Sequence, residues 1–219
     1  MTPPHPAVYS AALYDIFLAI LAERCRPGAT VLDPMAGTGG IHRLRDHGYQ
    51  TVGVEIEKEW AEASPWTLNA DAMSLPFRSE TFDAIITSPT FGNRMADHHE
   101  AKDGSYRRTY RHLLGRPLAP QSTGSLQWGS TYRVIHTVIW LEAYRVLRPG
   151  GTFVLDIKDH IRNLQRAHVS DWHFRYLRGL GLRLDEVVRP ELPGFLYGEN
   201  RELRLPERVL VFTKPVTLA

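Results

Sequence analysis

The chain has one cysteine, Cys25, and only four lysines among its 26 basic residues. A single thiol excludes an internal disulfide and a cysteine-built zinc cluster. No apolar run approaches the roughly 18 residues that span a bilayer. The start, Met1-Thr2-Pro3-Pro4-His5, lacks the charged-then-apolar pattern of a signal peptide. The expectation is therefore a cytoplasmic protein with no membrane partner. Internal repeats are lacking too, and the only low-complexity tract is the Pro-rich first six residues. What is present is 219 residues at 43% hydrophobic and 23% charged, which excludes disorder for the bulk and makes a single domain over 1–219 the economical count.

The net charge of +2 hides an uneven distribution. Residues 1–91 carry 6 Lys/Arg against 11 Asp/Glu, residues 92–130 carry 6 against 3, and residues 131–219 carry 14 against 10. An acidic half beside a basic half fits a protein that binds a cationic small molecule with one part and a polyanion with the other.

Leu13, Ile16, Phe17, Ile20 and Leu21 share one helical face, and Pro27-Gly28 closes that helix. The β-rich Thr30-Val31-Leu32-Asp33 then runs through Pro34-Met35-Ala36-Gly37-Thr38-Gly39-Gly40 into a helical stretch from Leu44 to His47. Further strands are predicted over 51–56, 82–87 and 152–157, near 182–188, and over 208–212. Helices are predicted over 132–147, where Arg148-Pro149-Gly150-Gly151 breaks the pattern, and near 170–179. Strands alternating with helices imply an α/β doubly wound, mostly parallel sheet. Residues 92–131 interrupt the alternation as an insertion or lid.

In such a sheet the ligand sits outside the carboxyl ends of the strands, where a glycine turn lets backbone approach it closely. Gly37 and Gly39 occupy that turn. A dinucleotide fingerprint would place a third glycine where this chain has His42, so a pyrophosphate cradle fits poorly. Glu55, 18 residues after Gly37, is placed to accept hydrogen bonds from ribose hydroxyls, and Asp71, followed by Ala72, is placed to hold an adenine amino group.

Together these residues resemble the class I S-adenosylmethionine-dependent methyltransferases. Asp33-Pro34-Met35-Ala36-Gly37-Thr38-Gly39-Gly40 is similar to their first motif, and Arg145-Val146-Leu147-Arg148-Pro149-Gly150-Gly151 to the turn into their fifth strand. The resemblance implies a seven-stranded Rossmann-like sheet with the last strand antiparallel, and S-adenosylmethionine as cofactor. Ser88-Pro89-Thr90-Phe91 after the fourth strand resembles the Ser/Asp/Asn-Pro-Pro-aromatic motif of the amino-group (N4-cytosine and N6-adenine) DNA methyltransferases. His5-Pro6, with Tyr9-Ser10, is similar to the segment these enzymes place before the cofactor motif.

An exocyclic amine is a weak nucleophile because its lone pair is delocalised into the ring. Two acceptors on its hydrogens, the Ser88 hydroxyl and the Pro89 carbonyl, favour the geometry that frees the lone pair, and alignment then governs transfer. The base must flip out or arrive single-stranded, and Phe91 is a fitting surface for it to stack on. Thr90 departs from the family's second proline. In the insertion, Arg94, Arg107, Arg108 and Arg111 lie among Tyr106 and Tyr110, a pattern suited to phosphate contact. Trp128 is expected to pack the loop against the body, and Asp156 to border the pocket. His98 and His99 have no partners at metal-ligand spacing, so no metal is expected.

The expected function is DNA methylation at an exocyclic base amine, cytosine N4 ahead of adenine N6, since members of the resembled family with serine at the first motif position tend toward cytosine. Two alternatives stay open. One is an RNA base methyltransferase; the other is a nucleic-acid-binding subunit of the same fold that has lost turnover through Thr90. A large recognition domain is lacking, so target choice would rest on the insertion, a partner subunit or very short sequence context.

Overall fold

The computed structural model describes residues 2–97, 109–190 and 205–216. Helix α1 (Ala11–Arg24) starts where the Ser10 side chain accepts the Leu13 amide at 3.2 Å, a capping bond that satisfies one of the first-turn donors. Strand β1 (Thr30–Asp33) leads through the glycine turn into a 3-10 helix over Gly40–His47. There follow β2 (Gln50–Glu55), α2 (Lys58–Ala61), β3 (Thr67–Asn69) and β4 (Phe82–Thr87). The chain continues through α3 (Tyr110–Leu114), α4 (Ser130–Val146), β5 (Leu147–Lys158), a hairpin of β6 (His160–Arg162) and β7 (Gln165–Ala167), α5 (Val169–Gly179), β8 (Arg183–Val188) and β9 (Glu207–Thr213).

Seven strands form one sheet in the order β3-β2-β1-β4-β5-β9-β8. The first five are mutually parallel, and β9 runs antiparallel to both β5 and β8. This is the doubly wound, mostly parallel sheet expected from the alternation of elements.

Both faces of the central strands are covered, which is why they read as continuous apolar runs. On one face α4 and α5 bury Tyr132, Trp140 and Leu177 against Leu32, Ile85, Phe153 and Leu155. On the other, α1 sets Leu13, Phe17 and Leu21 against Val31, Ile86, Val154 and Val211. Consecutive residues of β5 thus serve opposite cores, as the two-residue period of a strand requires.

The sequence reading missed β3 and the β6–β7 hairpin. Strand β3 is a three-residue edge with Leu68 45% exposed, so it has no apolar pattern to read. The hairpin turns at Asn163 and Leu164, both left-handed at φ 50° and 60°, and leucine in place of the usual glycine conceals that geometry. Among the described residues no helix is long and apolar enough to cross a membrane.

Strand order reverses between β1 and β4, and the carboxyl ends of β1, β2, β4 and β5 open there onto one crevice.

Candidate functional site

The crevice holds a cavity of about 1150 Å³, its open mouth included. Of the residues singled out in the sequence, His5, Asp33, Pro34, Met35, Ala36, Gly37, Glu55, Asp71, Ala72, Ser88, Thr90 and Phe91 all line it. Pro6, Gly39 and Pro89 do not. Gly39 instead caps the 3-10 helix in a left-handed conformation, and a Cβ there would meet the His42 ring at 2.6 Å. His42 bridges the Thr51 and Thr67 hydroxyls at 2.8 Å each, so it braces β2 against β3.

Gly37 sits at φ 53°, where a side chain is strained, and a Cβ would lie 3.0 Å from the His5 ring. His5 is held there edge-on against Trp60, with ring centroids 4.5 Å apart. Two carboxylates pin the turn. Asp33 accepts the Met35 amide at 3.1 Å and the Tyr9 hydroxyl at 2.9 Å. Glu55 accepts the Gly37 amide on one oxygen and the Glu57 amide on the other, both at 2.9 Å. Desolvation dominates both titrations: it pushes Asp33 up to about 6 and Glu55 up to about 7 despite these bonds. Asp71 accepts the Met73 amide at 2.8 Å, which fixes the loop after β3.

Directly after β4, Ser88 lies beside Asp156 of β5 in the cavity wall, with Glu207 at the start of β9 next to them. Asp156 is 2% exposed, and its Oδ1 has no hydrogen-bond partner although it belongs to the cavity wall. Burial, then the neighbouring Glu207 carboxylate, holds Asp156 well above the usual carboxylate range.

Thr90 is braced from two sides. Its hydroxyl donates to the Thr123 carbonyl at 3.1 Å, and its own carbonyl accepts the Tyr132 hydroxyl at 2.5 Å. Behind Tyr132 stands His173, 2.9 Å away, whose Nδ1 accepts the Trp140 indole N–H at 2.9 Å. Nδ1 being an acceptor, the proton is on Nε2 and donates to the Tyr132 oxygen, which in turn must donate to Thr90. Burial keeps His173 neutral by pushing its pKa well below the ordinary value. Every donor in the chain from α4 and α5 to the Ser88–Phe91 segment therefore points one way.

The described part of the insertion covers the cavity. Tyr110, Gln121, Ser122 and Thr123 line it. Arg116 binds Glu57 at 2.9 Å and Glu59 at 2.5 Å, and the Ala119 amide donates to Glu57 at 2.7 Å. That guanidinium anchors the cover to α2 and is committed within the protein. Arg111 is exposed on α3; Arg107, Arg108 and the side chain of Arg94 lie outside the described residues. Trp128 packs as expected, its amide donating to the Gly92 carbonyl at 2.8 Å and its ring 5.3 Å from that of Tyr132.

Sequence reasoning assigned no role to Trp60, Tyr132, His173 or Glu207. The first three read as ordinary helix-core residues, and Glu207 approaches Asp156 only through the pairing of β5 with β9.

The chain matches no protein-family model and no curated protein. Its fold does match solved structures. An S-adenosylmethionine-dependent methyltransferase from Clostridium acetobutylicum superposes with TM-score 0.60 at 11% identity, over 95% of this chain and 93% of that one. A SAM-dependent methyltransferase from Methanosarcina mazei gives 0.59 at 15%, over 90% and 97%. The 1,6-didemethyltoxoflavin-N1-methyltransferase of Burkholderia thailandensis, solved with its substrate and S-adenosylhomocysteine, gives 0.54 at 17%, over 94% and 79%. The fold is thus the Rossmann-like methyltransferase fold, on which function still has to be argued from the site.

Proposed function

We propose that the protein is an S-adenosylmethionine-dependent methyltransferase acting on an exocyclic base amine in DNA, cytosine N4 before adenine N6. The observation that carries this reading is Ser88: it directly follows β4, lies beside buried Asp156, and lines the same cavity as Gly37 and Glu55. The pocket fits the cofactor on its own terms. A Cβ at Gly37 would strike His5, so backbone is what the turn presents, and Glu55 offers a buried carboxylate for hydroxyl donors. Asp71 and Ala72 line the same cavity and are the candidates for the adenine.

When bound, the cofactor supplies an electrophilic methyl group on a cationic sulfonium. The protein's own task is to hold and activate the amine. Ser88 accepts one amine hydrogen, whereas Pro89 does not line the cavity and takes no such part. The Ser88 bond strengthens as the nitrogen becomes tetrahedral, so it lowers the barrier rather than merely binding the base. Phe91 gives the base a face to stack on. The chain Trp140–His173–Tyr132–Thr90 fixes this segment, so its acceptor needs no reorganisation during transfer. Thr90 takes over by hydrogen bonding some of the rigidity that a second proline would have supplied.

The test is transfer of labelled methyl from the cofactor to DNA, RNA and free amines, for the natural protein and for Ser88→Ala. The reading predicts label in DNA and its loss in the variant with cofactor affinity kept. Label in a ring carbon, a protein or a small molecule would contradict it.

A further inference from the structure

A second cavity, about 990 Å³ with its mouth, lies between the β6–β7 hairpin, the start of α4 and the start of α5. Its walls carry Arg133, Arg162, Arg166 and Arg175, with the indoles of Trp128 and Trp172. All four arginines are exposed. Arg166 is paired with Asp159 at 2.5 Å, but Arg133, Arg162 and Arg175 have no carboxylate partner among the described residues. Arg162 instead bonds the Gln127 side chain, and Arg133 lies over the Trp128 ring, 5.7 Å from its centroid. The acids nearby are already engaged: Asp159 by Arg166 and the Ser170 amide, Asp171 by Arg208 and His168.

Three exposed guanidiniums without a carboxylate partner around one groove leave a positive surface open to an anion. The groove adjoins the segment that ends in Phe91, a residue of the reaction cavity, through Trp128. Trp128 donates its amide to Gly92, directly after Phe91, and a Cβ on Gly92 would come within 2.7 Å of the Trp128 backbone. The Trp128 and Trp172 rings stand 6.0 Å apart and supply flat surface beside the charge. Planar cations with indole faces are the combination that takes phosphodiester and base together.

We propose that this groove is the track for the nucleic-acid strand, in which Arg133, Arg162 and Arg175 hold backbone phosphates and deliver the base past Trp128 to Ser88 and Phe91. It rests on the nucleic-acid reading of the site and adds α4, α5 and the hairpin to the surfaces that contact phosphate. The same chemistry would receive DNA or RNA, so both are tried.

The experiment is fluorescence anisotropy with single- and double-stranded 20-mers of DNA and RNA over a range of salt, using the full chain and two variants. One carries Arg133→Ala, Arg162→Ala and Arg175→Ala together; the other carries lysine at the same three positions. Each lost phosphate contact lowers the slope of log K against log salt by about 0.9 for duplex and about 0.7 for single strands. The alanine variant should therefore lose roughly two to three units of slope on duplex and bind at least tenfold more weakly in low salt. The lysine variant should keep most of the slope, and cofactor affinity should be unchanged in both. Binding of the natural chain with equal affinity and slope in the alanine variant overturns the groove and leaves the nucleic-acid reading standing. No binding of any polymer by the natural chain overturns both.

Discussion

On the proposed reading, Glu55 makes cofactor binding depend on pH. Its two oxygens already accept the Gly37 and Glu57 amides, so the proposed ribose hydroxyls would be received through its remaining lone pairs. Protonation would turn one oxygen into a donor facing an amide donor, and the bound state therefore requires the ionised form. Burial pushes Glu55 up to about 7, so at pH 6 most molecules must release a proton to bind. With one titrating group at that value, the apparent Kd rises about tenfold from pH 8 to pH 6, roughly 1.4 kcal/mol. Titration calorimetry with S-adenosylhomocysteine, in buffers of different ionisation enthalpy, counts the protons directly and should find most of one released per binding event at pH 6. Glu55→Gln removes the titration, so it should bind more weakly at pH 8 and show little change between pH 6 and 8. An unchanged natural-chain affinity over that range, or a glutamine variant that keeps the slope, would refute the assignment of Glu55.

Gly37→Val places a β-branched residue at φ 53° and a methyl-bearing carbon 3.0 Å from His5; it should strain the turn by about 1–2 kcal/mol and abolish cofactor binding in a protein that circular dichroism shows to be folded. Ser88→Ala should raise the barrier to transfer by about 1–3 kcal/mol, read as lower kcat at unchanged cofactor affinity. Phe91→Ala should act on KM instead, by about 1–3 kcal/mol of lost stacking, and equal effects of the two variants on kcat would contradict their separate roles. For stability, the raised Glu55 binds its proton in the folded state, so its contribution is lost as pH rises toward 7; His42 and His136, lowered to about 4, make stability fall as pH drops from about 6.5 to 4. Removing the first of these opposing groups with Glu55→Gln should raise stability at pH 7 relative to pH 5 by on the order of 2 kcal/mol in urea unfolding; no change in that difference would rule the group out.

The sheet was legible because burial on both faces leaves a simple trace: Val31-Leu32, Ile85-Ile86 and Phe153-Val154-Leu155 are apolar without interruption. The glycine turn was legible because Gly37 answers a backbone demand local to its own segment. What escaped depends on contacts distant in sequence. Tyr132 and His173 are 41 residues apart and look like core positions of two separate helices until the hydrogen bonds are traced. Asp156 and Glu207 approach each other only across an antiparallel pairing that periodicity cannot reveal. In the insertion, Arg116 is bound to Glu57 and Glu59, a pairing across 57 to 59 residues that composition does not show, while Arg107 and Arg108, named for phosphate contact, lie outside the described residues.

The central claim is methyl transfer to a base amine, and mass spectrometry of nucleosides tests it most directly. DNA and RNA would each be incubated with the protein and S-adenosylmethionine, digested to nucleosides and compared with the Ser88→Ala variant. The account predicts N4-methylcytosine in the DNA, with N6-methyladenine as the second candidate, and neither in the variant. A ring-carbon methyl, or no methylated nucleoside in either polymer while calorimetry shows the cofactor bound, would contradict it.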